Sequence, residues 1–271
     1  MTHYQIFLTV LLIGIEILLC VLVLVRQVQR QLPFFTVYVV SILAAYLSQL
    51  LVFRTYGFRA SISQYYLWIS YGIVILTRSA AIAELCQTGL RQYKGIWALT
   101  WRLLALMTVC FFVHAAIDAQ GQNRWLVAYG LTLELDVNIA SFVILATMLF
   151  ILKYYRIPMD DLRRWIALGI CFFCIVEFTN SSVLRHIFTQ YFSTWAGMKE
   201  QMDRVNDLWD TVYVAASTIS MASWCYLLRK PLPSPTGQPV MLPAEVYREL
   251  APAINLRLRA FNDRLEEMLK P

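Results

Sequence analysis

The sequence predicts an all-α polytopic membrane protein, a seven-transmembrane-helix bundle with its N-terminus outside and a cytoplasmic C-terminal amphipathic helix. The first observation is composition: the 271 residues are 59% hydrophobic and 15% charged, whereas a soluble domain carries about 25% charged residues. The second is that seven apolar stretches are long enough to cross a bilayer. The third is that basic residues divide unequally between the two sets of connecting segments.

The seven predicted spans follow one another along the first 230 residues. They cover residues 4–25, 34–53, 65–85, 103–119, 125–152, 165–184 and 208–228. Arg26 and Arg30 follow the first apolar stretch instead of preceding it, which argues against a cleaved signal peptide. Counted up to residue 230, the segments after the odd-numbered spans hold eleven Lys and Arg residues and the other segments hold six. The excess predicts that the N-terminus is outside, and it assigns the net positive charge to topology and anionic lipid, not nucleic acid.

Three regions divide the chain: the bundle (1–230), a proline-rich linker (231–243) and a cytoplasmic amphipathic helix (244–271). The last region repeats apolar residues at intervals of four and three, as in a coiled-coil seam. These residues are Ile254, Leu258, Phe261, Leu265 and Met268. Two heptads are too few for a stable free coiled coil. The helix is therefore predicted to pair with a second copy, to bind a cytoplasmic or membrane partner, or to lie on the inner leaflet.

Span 5 carries two carboxylates and an amide in an otherwise apolar run. An ionisable group in hydrocarbon costs at least about 2.5–3.5 kcal/mol, so such groups pair, line water or perform chemistry. On a helix, Glu134 and Asn138 share a face, and Asp136 lies about 200° from Glu134. One carboxylate can therefore face the bundle while the other needs a second neighbour or the water interface.

Spans 1 and 3 each carry one charged residue at similar depth, Glu16 and Arg78. Each charge alone would be costly in the membrane. The sequence therefore predicts an internal ion pair that joins these two spans.

The outer half of spans 4 to 7 is predicted to concentrate polar groups. His114 and Asp118 are four residues apart and share a helix face, and a short turn brings span 5 alongside them. The ligand-pocket candidates are His114, Asp118, Glu134, Asp136, Asn138, Glu177, Asn180, Asp207 and Asp210. In the most specific form of this prediction, His114, Asp118, Glu134 and Glu177 line one outward-facing cavity, with Asp207 and Asp210 at its rim.

Three interpretations of this region remain open: a hydrated pocket for an organic ligand, a divalent-cation site, or solvated helix ends. A retinal-type Schiff base is excluded because every lysine lies outside the predicted spans. The lysines are Lys94, Lys153, Lys199, Lys230 and Lys270. No phosphate-binding loop or hydrolase motif is present, so no catalytic residue is assigned and a non-enzymatic role is favoured.

A receptor-like or sensor-like protein is the function that these features favour, with a pocket that opens outward and an output through the C-terminal helix. The first alternative is an intramembrane metal-dependent hydrolase that uses His114 and the acidic groups. The second is a transporter or proton-conducting protein that uses Glu16, Arg78 and Glu177.

Two short motifs carry a resemblance to a protein family. The segment 30–38, RQLPFFTVY, and the later 65–68, YYLW, are similar to those of uncharacterised bacterial seven-transmembrane-helix membrane proteins. The resemblance covers the first third of the chain. It implies a multi-pass protein of the bacterial inner membrane, and it supplies no activity and no site residues.

Overall fold

Seven long helices make up most of the part of the chain that the structure describes. The computed structural model describes residues 3–57, 60–90, 94–121, 125–154, 159–191 and 199–229, together with 260, 262–265 and 267–268. The helices are α1 (His3–Val25), α2 (Pro33–Tyr56), α3 (Ser61–Leu90), α4 (Lys94–Asp118), α5 (Trp125–Tyr154), α6 (Asp161–Tyr191) and α7 (Lys199–Leu228). Each is long and apolar enough to cross a membrane, and each coincides with a predicted span. The prediction of an all-α, multi-pass membrane protein with seven spans is confirmed.

Six of the helices form a closed ring. Contacts run from α1 to α2, α2 to α3, α3 to α5, α5 to α6, α6 to α7, and α7 back to α1. Large apolar side chains such as Leu19, Phe35, Leu85 and Ile166 are fully buried inside it. Others, such as Val21, Val37 and Phe150, lie on the outer surface and are at least half exposed, as expected for side chains that face lipid.

Helix α4 lies outside the ring, against α5 and α3. Among its described side chains only Ala115 is fully buried, whereas Trp101, Leu106, Val109 and Ile117 are more than half exposed. A single small residue at the point of contact allows α4 to pack closely on its neighbours. Helix α4 therefore contributes nothing to the interior of the ring.

The N-terminus of α2 is capped by a side chain from another helix. Leu32 at the N-cap provides no side-chain cap, and Pro33 takes the first helical position. Glu84 of α3 accepts hydrogen bonds from the backbone N–H groups of Phe34 (3.3 Å) and Phe35 (3.0 Å). A carboxylate at this point satisfies free backbone donors and interacts favourably with the helix dipole. Glu84 thus joins α3 to the start of α2.

The first and last helices are joined at the end of the bundle where α1 and α7 terminate. Nη2 of Arg26 donates to the backbone carbonyl oxygen of Arg229 at 2.9 Å, so a basic side chain caps the carbonyl end of α7. The thiol of Cys225 also points to the carbonyl oxygen of Ile15, at 3.8 Å. These contacts close the ring between residues that are far apart in sequence.

Helices α6 and α7 extend beyond the predicted spans. A connection over residues 185–206 was expected, but α6 continues to Tyr191 and α7 begins at Lys199. Mean hydropathy marks only the lipid-crossing part of a helix, and the mixed polar residues at these two ends hid the continuation.

The predicted C-terminal helix is described only in part. Positions 262–265 are helical, Leu265 is buried and Met268 is exposed. Ile254, Leu258 and Phe261 lie outside the described residues, as does the proline-rich linker. The tail helix, its cytoplasmic side and its partner stay predictions.

Candidate functional site

A cavity of about 580 Å³ occupies the interior of the ring. All six ring helices line it, and α4 does not. It runs from Thr9, Gln49 and Asp207, at the end of the bundle where α1, α3, α5 and α7 begin, to Tyr38 and Trp224 near the opposite end. We call these ends the mouth and the floor. The volume falls within the range of about 300–1,000 Å³ that is usual for small-molecule sites.

Aromatic side chains make up much of the cavity wall. They are Tyr38, Tyr46, Phe53, Trp68, Tyr71, Phe173, Trp209, Tyr213 and Trp224. Tyr46 and Tyr213 are hydrogen-bonded to each other across the α2 and α7 sides of the cavity. Rings of this kind offer apolar contact area together with hydroxyl and indole N–H groups. The wall therefore suits a ligand with an apolar or aromatic body.

Two glycines allow two of these rings to take their places. The six-membered ring of Trp68 lies directly against Gly130, where a Cβ would collide with ring carbons. The Trp224 indole lies against Gly169 in the same way, and it packs edge-on against Phe35 with centroids 5.4 Å apart. Gly130 thus fixes part of the upper wall, while Gly169 and Phe35 fix the floor.

Arg78 is the basic residue of the cavity wall among the side chains that the structure describes. Its side chain is 2% exposed, and Nε and Nη2 have no hydrogen-bond partner. Its guanidinium carbon lies 5.5 Å from the centroid of the Phe173 ring, a cation–π contact. A buried charge without a counter-ion is strongly unfavourable, so the empty hydrogen-bonding edge of Arg78 is the least satisfied feature of the site.

The predicted ion pair between Glu16 and Arg78 is wrong. Both carboxylate oxygens of Glu16 lack a hydrogen-bond partner, and no ion pair joins them to Arg78 within the described chain. The physical reason is the order of helices around the ring, since α2 lies between α1 and α3. Equal depth in the membrane did not imply a shared interface.

Glu134 faces the interior of the bundle and lines the cavity. The Tyr71 hydroxyl donates a short hydrogen bond to its Oε1. Glu177 on α6 lies close enough to interact electrostatically with Glu134. Ser181 donates to Oε1 of Glu177 at 3.1 Å. Glu177 is not among the residues that line the cavity, so of the four carboxylate and imidazole groups predicted to line it, only Glu134 does.

Asn138 lies one turn below Glu134 and is also completely buried, as the shared helix face predicted. Its amide nitrogen and oxygen both lack partners among the described residues. Asn180 instead ties two helices together, because its Nδ2 donates to the Trp209 carbonyl oxygen at 3.1 Å. Asp207 and Asp210 line the mouth and are exposed, which matches the predicted rim.

His114, Asp118 and Asp136 do not join the cavity, contrary to the prediction of one polar cluster. Nδ1 of His114 lies 2.6 Å from Oδ2 of Asp136, and the Thr132 hydroxyl donates to Oδ2 of Asp118 at 2.6 Å. Both contacts join α4 to α5 on the outside of the ring. The short turn did place α4 beside α5, but on the face of α5 that points away from Glu134.

The divalent-cation interpretation receives no support from the described side chains, because no three His, Cys, Asp or Glu residues among them are grouped as a metal site would require. The hydrolase alternative needed His114 together with the interior carboxylates, and the ring separates these groups.

Sequence reasoning missed Tyr71, Trp68 and Gly130, which shape the wall around Glu134. An available signal was the spacing of Gly130, Glu134 and Asn138, four residues apart, which marks one face of α5. Comparisons with protein-family models, with curated proteins and with solved structures find no match to this chain.

Proposed function

We propose that this protein is a seven-helix membrane receptor or sensor that binds a small organic molecule in the cavity of the ring. The observation that carries the proposal is a cavity of about 580 Å³ with aromatic walls and a buried, unpartnered Arg78. A mostly apolar pocket with a few convergent polar groups is the usual form of a small-molecule site. With the N-terminus outside, as the basic residues favour, the mouth opens to the exterior.

The floor supports a receptor in preference to a transporter. Phe35, Ile166 and Leu228 are fully buried and Trp224 nearly so, below the cavity. The Phe35–Trp224 edge contact and the close approach of Trp224 to Gly169 leave the rings tightly held. A transport path would have to separate these groups, whereas a binding pocket uses them as its base. Output through the C-terminal helix belongs to the same proposal and rests on the apolar repeat of that segment.

Two adjacent alanines on α2 provide the test. Ala45 lines the cavity, whereas Ala44 is exposed on the outer surface. The full chain, purified into lipid nanodiscs, is screened with water-soluble metabolites by thermal shift, and small molecules that co-purify are identified by mass spectrometry. Ala45→Trp fills the cavity and is expected to abolish both ligand-induced stabilisation and co-purification, while Ala44→Trp retains them.

Equal behaviour of the two variants, or stabilisation by no compound in the wild-type protein, would contradict the proposal. Loss of ligand from Ala45→Trp counts only if this variant keeps the helical circular dichroism signal and the monodispersity of Ala44→Trp. A proteoliposome flux assay on the wild-type chain distinguishes transport, because a receptor with a closed floor releases no trapped solute.

A further inference from the structure

Two opposite charges line the same cavity without contacting each other. Arg78 on α3 and Glu134 on α5 both form part of the wall, and both are almost completely buried. They lie within electrostatic range of each other. No ion pair between them is found among the described residues. The cavity wall therefore carries an arginine and a glutamate that do not form an ion pair with each other.

Arg78 and Glu134 differ in the number of hydrogen-bond partners that they have. Glu134 accepts the Tyr71 hydroxyl, and Glu177 lies close enough to interact with it. The hydrogen bond from Tyr71 supports a carboxylate at Glu134. Arg78 has no such support at Nε and Nη2.

Nε and Nη2 form one edge of the guanidinium group, and their N–H bonds point in the same direction. That arrangement matches the two oxygens of a carboxylate, which arginine binds bidentately. In the unliganded structure these two atoms are shielded, so the proposal requires the terminal side-chain torsions of Arg78 to change and present this edge to the cavity. A ligand carboxylate at this position would compensate the buried charge.

An ammonium group next to that carboxylate would reach Glu134. Aromatic faces of Tyr71 and Trp68 line the wall beside Glu134, and such faces also attract cations. The apolar remainder of the ligand would lie against the other rings of the cavity.

We propose that the ligand is an aromatic zwitterion of the amino-acid type, bound with its carboxylate on Arg78 and its ammonium group on Glu134. This inference rests on the proposed function, because it names the chemical class of molecule that the cavity takes. It assigns one charge of the ligand to each of two residues on different helices.

Three compounds that share a phenyl group test the contribution of each ligand charge separately. L-Phenylalanine carries both, 3-phenylpropionate lacks the ammonium group, and 2-phenylethylamine lacks the carboxylate. Each is titrated into the full chain in nanodiscs, with binding followed by calorimetry and by the fluorescence of the cavity tryptophans. L-Phenylalanine is expected to bind at least about tenfold more tightly than either singly charged compound, since hydrogen bonds between charged groups are stronger than neutral ones.

Two substitutions test which residue of the protein binds each charge of the ligand. Arg78→Gln should remove the preference for L-phenylalanine over 2-phenylethylamine, and Glu134→Gln should remove its preference over 3-phenylpropionate. Glu16→Gln and Arg163→Gln are the control variants, because Glu16 is buried and Arg163 is partly exposed, and both lie outside the cavity wall. Both controls should keep the wild-type order of affinities.

Thermal stability provides a readout that does not depend on the ligand. Arg78 has an uncompensated buried charge, so Arg78→Gln is expected to leave the melting temperature of the unliganded protein unchanged or to raise it. A large fall would show that Arg78 already has a structural counter-ion, and that result would overturn the proposal.

Two further binding results would contradict the proposed zwitterion site. Equal affinities for L-phenylalanine and 2-phenylethylamine, both lost in Glu134→Gln, would identify a cation site and refute the role of Arg78. Binding of none of the three compounds would refute the zwitterion, while the Ala45 and Ala44 comparison would still decide whether the cavity binds any small molecule.

Discussion

Helix α5 presents a carboxylate on each of two faces, and the two carboxylates have different surroundings. Asp136 lies on the face that meets α4, where it pairs with His114, and Thr132 on that face binds Asp118. Glu134 lies on the face that meets the interior, between Gly130 and Asn138. There it contacts side chains from α3 and α6 and borders a cavity.

The two faces of α5 differ in how many of their polar side-chain atoms have a hydrogen-bond partner. At the α4 face, each polar side chain has a partner across a single helix interface. At the interior face, Asn138 and Glu177 keep polar atoms without partners, and Arg78 does so across the cavity. Buried polar groups in folded proteins are nearly always hydrogen-bonded. The α4 face is therefore a contact between two helices, whereas the unpartnered Arg78 in the cavity wall is consistent with the proposed ligand site.

The largest effect is expected at Gly130. Adding a single methyl group there forces it into the Trp68 ring, and overpacking of this kind typically costs about 1–3 kcal/mol. Gly130→Ala should therefore lower the free energy of unfolding by about 2 kcal/mol and weaken ligand binding. Gly14, with nothing near its Cβ position, is the control. Gly14→Ala should be neutral or mildly stabilising in a denaturation experiment in detergent micelles. If both variants lose the same free energy of unfolding, the close approach of the Trp68 ring to Gly130 is not the cause of the loss.

A smaller effect is expected at the hydroxyl that supports Glu134. Tyr71→Phe removes the donor, and the net contribution of one such hydrogen bond is about 1 kcal/mol, roughly half of the loss expected at Gly130. Tyr226→Phe is the matched control, because Tyr226 is 65% exposed. Adding Glu134→Leu to Tyr71→Phe should recover part of the lost stability, since removing both partners is milder than removing one. A further loss in the double variant would contradict this account.

The smallest effect is expected at His114. Its side chain is 60% exposed, and polar side-chain contacts between membrane helices average about 0.6 kcal/mol. His114→Gln should lower stability by less than about 1 kcal/mol and leave ligand affinity unchanged. A loss of ligand binding in this variant would place the α4 face in the functional site and end the distinction between the two faces of α5.

The sequence predicted the seven helices well, because a bilayer imposes a length and a composition on each span. It also predicted the faces of α5, since helical periodicity alone places Glu134 with Asn138 and apart from Asp136. Both kinds of information are local to one helix.

The order of helices around the bundle could not be predicted in the same way. The Glu16–Arg78 pair failed because α2 separates the two helices, and His114 was placed in the cavity because the position of α4 outside the ring was not known. A short connection makes two helices neighbours without saying which side of the second helix the first one takes. The cap on α2 was hidden for a related reason, because Glu84 is about fifty residues away from the helix end that it supports.

The closure of the ring between α1 and α7 has a consequence for biosynthesis. Of the seven helices, α1 leaves the ribosome first and α7 last, yet α1 needs α7 as a neighbour and Arg26 needs the carbonyl of Arg229. Until α7 is inserted, the side of α1 that carries Glu16 has only α2 and lipid beside it. Assembly of the bundle is therefore completed only after the translation of residue 229, and nascent chains that stop before α7 should expose an acidic membrane helix to the cell's quality-control proteases.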